Sequence, residues 1–247
     1  MYILTKDNLV ATAKMLAERL GMDIRYTPLK ERNTLVPPAI RWGTSLGSEL
    51  FGAEDTLYNS GEMISLCGSK VKLSSFLTAR GFPVVEFKRG TPDIYPIAVR
   101  KVLNGHGGEG LIIAQNEEEW RPHQDYYWTP WYKFEFELGV HVIEGRVVKL
   151  FKKLWQDIAE NEPEFPIRNT ERGYHFSARN VEKYNKLPAF VASFYEKVPV
   201  KMARLDIGWD ALAHTYRIIE ANTAPALTAN QQTANVYLDF LEETFRR

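Results

Sequence analysis

The chain has 247 residues, 45% hydrophobic and 25% charged, with 31 Lys+Arg balancing 31 Asp+Glu. Zero net charge argues against nucleic-acid and membrane-surface proteins, which usually carry a basic stripe, and the composition is far from the disordered class. The single cysteine, Cys67, excludes an internal disulfide or a multi-cysteine metal site, and no run approaches the ~18 apolar residues of a membrane span.

Met1 to Thr5 reads as a short strand, followed by a helix from an Asp7 N-cap to Leu20 that stops at Gly21. Ile24–Tyr26 and Ala39–Trp42 are strand candidates on either side of a proline-bearing loop. Ser69 caps a predicted helix over Lys70–Arg80, with Gly81 at its C-terminal stop. Tyr95–Val102 and Leu111–Ala114 are strand-like around a glycine loop, and Asn116 caps a short helix. Two strongly β stretches, Phe134–Val142 and Arg146–Lys153, turn at Glu144-Gly145. A helix over Leu187–Glu196, a hairpin over Ala203–Asn222 and a helix over Gln231–Phe245 complete an α+β pattern.

Gly105-His106-Gly107-Gly108-Glu109-Gly110 formally satisfies G-x-G-x-x-G. A dinucleotide fold requires a helix directly after the loop, but here a strand follows. Kinase and Walker signatures are missing. The loop reads either as a mobile hairpin turn or as a flap whose backbone approaches phosphates. Lys101, alternating onto the apolar face of Ile97 and Val99, is the cation that favours the phosphate.

The hairpin is the strongest local signal. Pairing about a turn near Ala213 sets Asp206 opposite Glu220 and Arg204 opposite Asn222, all on one face. Leu205, Ile207, Ile219 and Ala221 then share the core face. Facing carboxylates repel unless a cation lies between them, and two carboxylates with an amide oxygen suit Mg²⁺. A solvated hairpin neutralised by Arg204 is the competing reading.

These segments resemble the ATP-grasp carboxylate–amine ligases. Glu220-Ala221-Asn222-Thr223-Ala224-Pro225-Ala226-Leu227-Thr228 is similar to the E-x-N-T-x-P-G-x-T ending of D-alanine–D-alanine ligases, and Arg204-Leu205-Asp206 to the R-x-D before it. Ser69-Lys70 with Gly81-Phe82-Pro83 resembles the fold's entrance helix, and Phe136–Val142 with Gly145–Val148 the strands of RimK-like and phage-encoded members. Arg41-Trp42-Gly43 and Asn59 resemble the front end of the phage type. The resemblance runs in order from about residue 40 to Thr228.

It implies an ATP-grasp fold of two α+β lobes clasping a nucleotide. Residues 1–66 would form a small pre-ATP-grasp α/β unit, 67–128 the small lobe with its flap, and 129–247 the large lobe with the metal hairpin. Lys70, Lys101 and the loop glycines Gly105, Gly107, Gly108 and Gly110 would bind ATP phosphates, with Trp131 and Tyr132 near the adenine. Asp206, Glu220 and Asn222 would hold Mg²⁺, and Arg204 would face an acyl-phosphate. Arg168 and Asn169 are candidates for the substrate, although Arg168 reads equally well as a surface charge. The implied partners are a small-molecule or peptide carboxylate and an amine, with no nucleic acid or membrane, in a possible homodimer. The expected location is the cytoplasm, that of a host if the gene is phage-borne, since Met1–Asp7 lacks signal-peptide order.

Two positions depart from the family pattern. Gly139 stands where relatives usually have arginine, so that one phosphate-facing cation is either missing or supplied by Lys149, Lys152 or Lys153, and Ala226 replaces a glycine. The alternatives are an ATP-grasp kinase, which would release a stable phosphoester, and a nucleotide-binding module without turnover.

Overall fold

The computed structural model describes residues 2–6, 10–26, 39–45, 57–103, 108–156, 161–178 and 184–245. The expected Asp7 cap lies outside them. The chain begins with β1 (Tyr2–Thr5), α1 (Val10–Leu20), β2 (Asp23–Tyr26), β3 (Ala39–Trp42) and β4 (Leu57–Tyr58), a parallel sheet in the order β2-β1-β3-β4. Two helices follow, α2 (Gly61–Cys67) and α3 (Lys70–Thr78), capped by the hydroxyls of Ser60 and Ser69. Each cap accepts from a backbone N–H that the helix leaves orphaned. Gly81 takes a φ of +64° just beyond α3, where a left-handed residue closes the helix end.

A three-stranded antiparallel sheet comes next: β5 (Ile97–Arg100), β6 (Leu111–Ala114), the short helix α4 (Glu117–Trp120) and β7 (Tyr127–Pro130), in the order β6-β5-β7. Ile97, Val99, Ala114, Trp120 and Trp128 bury its core.

The large sheet holds β8 (Phe136–Ile143), β9 (Arg146–Trp155), β10 (Tyr174–Ser177), then α5 (Leu187–Lys197), β11 (Met202–Asp210) and β12 (Thr215–Asn222), in the order β10-β9-β8-β11-β12. One face is apolar. Leu138, Val140, Leu205, Ile207 and Ile218 pack there on Leu73 and Leu77 of α3 and on Val191 and Phe194 of α5. The opposite face carries the hairpin's charges. The closing helix α6 (Gln231–Phe245) packs Tyr237 and Leu241 into the core of the N-terminal sheet, with Trp42 and Met202.

Asp206 does pair with Glu220 and Arg204 with Asn222, but the register slips by one residue between Asp206 and Ile207. The slip corrects the expected core face. Ile218 is fully buried, whereas Ile219, the extra residue of the bulge, turns to the charged face. A bulge re-aims side chains because two residues oppose one.

Asn59 joins the N-terminal sheet to the large one. Its amide accepts from the Met202 N–H at 3.1 Å and donates to the Met202 carbonyl at 3.3 Å, and the buried Arg41 donates to the Asn59 carbonyl. Asn59 also takes a φ of +69°, a region that alanine enters at a cost. Asn59→Ala is expected to lose about 2 kcal/mol of stability by urea unfolding, because the buried Met202 amide loses its partner.

Candidate functional site

A cavity of about 900 Å³ opens between the three-stranded sheet and the charged face of the large sheet. Lys70, Arg100, Lys153 and Arg204 line it with Glu137, Asp206, Glu220 and Asn222, while Trp131, Tyr132 and Phe134 form an aromatic wall. Tyr132 and Phe134 stack at 5.6 Å, and the Arg217 guanidinium lies over Tyr132, so that wall is held by its own neighbours.

Strand alternation explains which cation β5 supplies. The face of Ile97 and Val99 is the core of the small sheet, packed with Trp128. Ala98 and Arg100 therefore turn to the cavity, and Lys101, placed there by the sequence reading, is exposed with its ammonium 6.0 Å from the Tyr126 ring. Burial pushes the Arg100 guanidinium below its ordinary range, against the pull of Glu220 and Glu137. Among the described residues, its buried Nε has no hydrogen-bond partner. A buried donor left unpaired is costly unless a ligand completes it.

Gly105 and Gly107 lie outside the described residues. Gly110 is shaped by the end of the neighbouring strand β5: a Cβ there would fall 3.0 Å from the Val102 nitrogen, and its carbonyl accepts from the Lys101 N–H. Gly108 does line the cavity. Its φ is +81°, and a Cβ would lie 2.6 Å from Ile167 Cγ2, so the flap rests directly on the 161–170 segment.

Arg168 and Asn169 line the cavity from that segment. The Arg168 side chain is only 8% exposed; Nε donates to Glu162 at 2.8 Å, Nη1 donates to the Phe134 carbonyl and Glu137 lies at 3.6 Å. Tyr174 donates to the same Glu162 carboxylate. Arg168 thus straps the segment across the sheet and is not a surface charge.

The acids of the hairpin are fully engaged. Lys153 Nζ lies 2.9 Å from Asp206 and 3.0 Å from Glu137, Lys70 lies 2.9 Å from Glu220, and Arg204 lies 3.1 Å from Asp206. Burial opposes the charge on Asp206, but Lys153 and Arg204 outweigh it and hold the carboxyl below its usual range. Likewise burial opposes the Lys153 ammonium, and the Asp206 and Glu137 carboxylates more than restore it.

The lysines weighed against the missing arginine at Gly139 are placed differently. Of Lys149, Lys152 and Lys153, only the last lines the cavity. A Cβ at Gly139 would meet Phe176 Cε1 at 3.0 Å, so the ring of Phe176 fills the room that a longer residue would need.

Among the described residues, no three His, Cys, Asp or Glu side chains cluster as a metal cage. The residues that would hold magnesium are the carboxylates of Asp206 and Glu220, cross-strand neighbours, and the amide of Asn222. Two carboxylates and an amide oxygen at a cavity wall fit a hard cation that takes its remaining ligands from phosphate and water. Sequence reasoning missed Arg100, Glu137, Glu162 and Phe176. Only Arg100 had a signal, as the other basic residue of its strand.

A scan against protein-family models finds no match, and a sequence search of curated proteins finds none either. Solved structures are similar over nearly the whole chain. D-alanine–D-alanine ligase from Bacillus anthracis superposes with a TM-score of 0.66 at 13% identity, over 99% of this chain and 97% of that one; its complex with ATP gives 0.66 at 12%, over 96% and 91%. The ATP-grasp ligase PsnB, complexed with a phosphomimetic variant of its minimal precursor, Mg and ADP, gives 0.64 at 12%, over 98% and 97%. A RimK domain ATP-grasp protein from Sphaerobacter thermophilus gives 0.61 at 12%, over 97% and 99%.

Proposed function

Given that the chain has the ATP-grasp fold, we propose that it is an Mg·ATP-dependent ligase that joins a carboxylate to an amine through an acyl-phosphate. One observation carries the reading: the guanidinium of Arg100, whose Nε has no partner among the described residues, and the cations of Lys70, Lys153 and Arg204 meet the Asp206–Glu220–Asn222 set in one cavity. The complexes of the similar ligases with ATP, and with Mg and ADP, support the same choice of ligands.

In this reading Arg100, Lys70 and Lys153 bind the phosphate chain, and the aromatic wall of Trp131, Tyr132 and Phe134 takes the adenine. Asp206, Glu220 and Asn222 would hold magnesium, which when bound neutralises and orients phosphate oxygens. The carboxylate substrate attacks the γ-phosphorus and ADP leaves. The amine then attacks the acyl carbon and expels phosphate. Arg204, at the same wall as Asp206, stabilises charge on the acyl oxygens, where fixed cations contribute most. Gly108 resting on Ile167 roofs the cavity and keeps water from the acyl-phosphate. The carboxylate is an amino acid or a peptide.

The test combines thermal unfolding with trapping. Mg·ATP at about 100 times its Kd is expected to add about 2.7 kcal/mol of stability. With a panel of amino acids and peptides, hydroxylamine should trap a hydroxamate as ADP forms. No magnesium-dependent shift at millimolar ATP would overturn the reading, and a stable phosphoester in place of hydroxamate would make the chain a kinase.

A further inference from the structure

The carboxylates offered to magnesium are held by the cations that the phosphates need. Lys153 is the most enclosed of these, its side chain 9% exposed between Asp206, itself 8% exposed, and Glu137. Lys70 holds Glu220, and Arg204 reaches Asp206 at 3.1 Å and Glu220 at 3.9 Å. An ammonium has three donors and one charge, so Lys153 satisfies the Asp206 and Glu137 carboxylates much as a metal would, and contests the Asp206 oxygen that a metal would take.

We infer, resting on the ligase reading above, that Lys153 is an internal counter-ion that plugs the metal position in the nucleotide-free protein, so that metal and phosphate enter by exchanging ion pairs. Asp206 and Glu220 pass to the metal while Lys153 and Lys70 pass to phosphate oxygens. Metal alone leaves the buried Lys153 ammonium with Glu137 as its one remaining carboxylate, and phosphate alone leaves the buried Asp206 carboxylate with Arg204 as its one remaining cation. Either half is disfavoured. Each ligand therefore tightens the other by the same factor, as linkage requires.

The experiment titrates Mn²⁺ into nucleotide-free protein, read by electron paramagnetic resonance, for wild type and Lys153→Met, which keeps the stem and removes the charge. The variant is expected to bind Mn²⁺ at least tenfold tighter than wild type. In wild type, ADP should tighten Mn²⁺ beyond what formation of Mn·ADP in solution explains, and in the variant that gain should shrink. Unchanged or weaker Mn²⁺ binding in Lys153→Met would overturn the plug. Should that variant fail to fold with two carboxylates short of a cation, Lys153→Met with Glu137→Gln removes one of them and carries the same measurement.

The Mn²⁺ titration needs no nucleotide, so the two readings fail separately. Tighter Mn²⁺ in the variant beside a wild type that binds no ATP would remove the ligase and keep the plug. ATP binding beside unchanged Mn²⁺ affinity would remove the plug and keep the ligase.

Discussion

Arg100→Ala is expected to raise the Kd for ATP by up to about a hundredfold, near 2.7 kcal/mol, while Lys101→Ala, one residue along the chain, leaves it within about twofold. Calorimetric titration of both variants makes the comparison. The asymmetry comes from the fold: Ile97 and Val99 are fully buried, and the residue between and the one after them face the cavity. Arg100→Ala should also leave the unliganded protein at least as stable. It removes a buried guanidinium whose Nε has no partner and whose charge is opposed by burial. Equal effects of the two substitutions would mean that β5 meets the nucleotide in another register.

The same strand shows where sequence reading stops. Period-2 alternation in Ile97-Ala98-Val99-Arg100-Lys101 separates two faces, but it cannot tell which faces the core when both begin with apolar residues. That is decided by Trp128 in β7, a strand that the sequence presents only as an aromatic cluster around Pro130. The hairpin was more legible because its pairing is local. The short turn pairs Asp210 with Thr215 and so brings the two acidic segments together, and the bulge then sets Glu220 opposite Asp206 where the turn alone would set Ile219. The bulge at Ile219 was not legible, since nothing in the residues marks an extra one.

Lys153 illustrates a third limit. Its neighbours Asp206 and Glu137 come from β11 and β8, so its role depends on strand order across the sheet and not on spacing. The sequence could only place it among three lysines of one strand.

The stability of the chain is expected to fall by about 3 kcal/mol between pH 6.5 and pH 4 through one residue, His141. Burial, then the nearby Arg204, depress its imidazole to about 4, with Asp206 pulling the other way and Lys149 adding a little. Nδ1 lies 3.1 Å from the Tyr237 hydroxyl, which itself donates to the Ala203 carbonyl at 3.2 Å, so the ring is fixed in a packed corner. Above pH 6.5 both folded and unfolded chains carry a neutral imidazole and the stability is intact. As the pH drops, the unfolded chain takes up a proton that the folded one refuses, and unfolding gains. Below about pH 4 both are charged and this contribution levels off. Asp206 and Asp210, held low in the fold, act in a lower window: their stabilisation is present above the ordinary carboxylate range and is lost as the pH falls through their depressed values. Urea unfolding of wild type and His141→Gln at pH 7, 6, 5 and 4 separates the two. The variant should lose the slope between 6.5 and 4 and keep the steeper fall below it; an unchanged slope would place the proton uptake on another group.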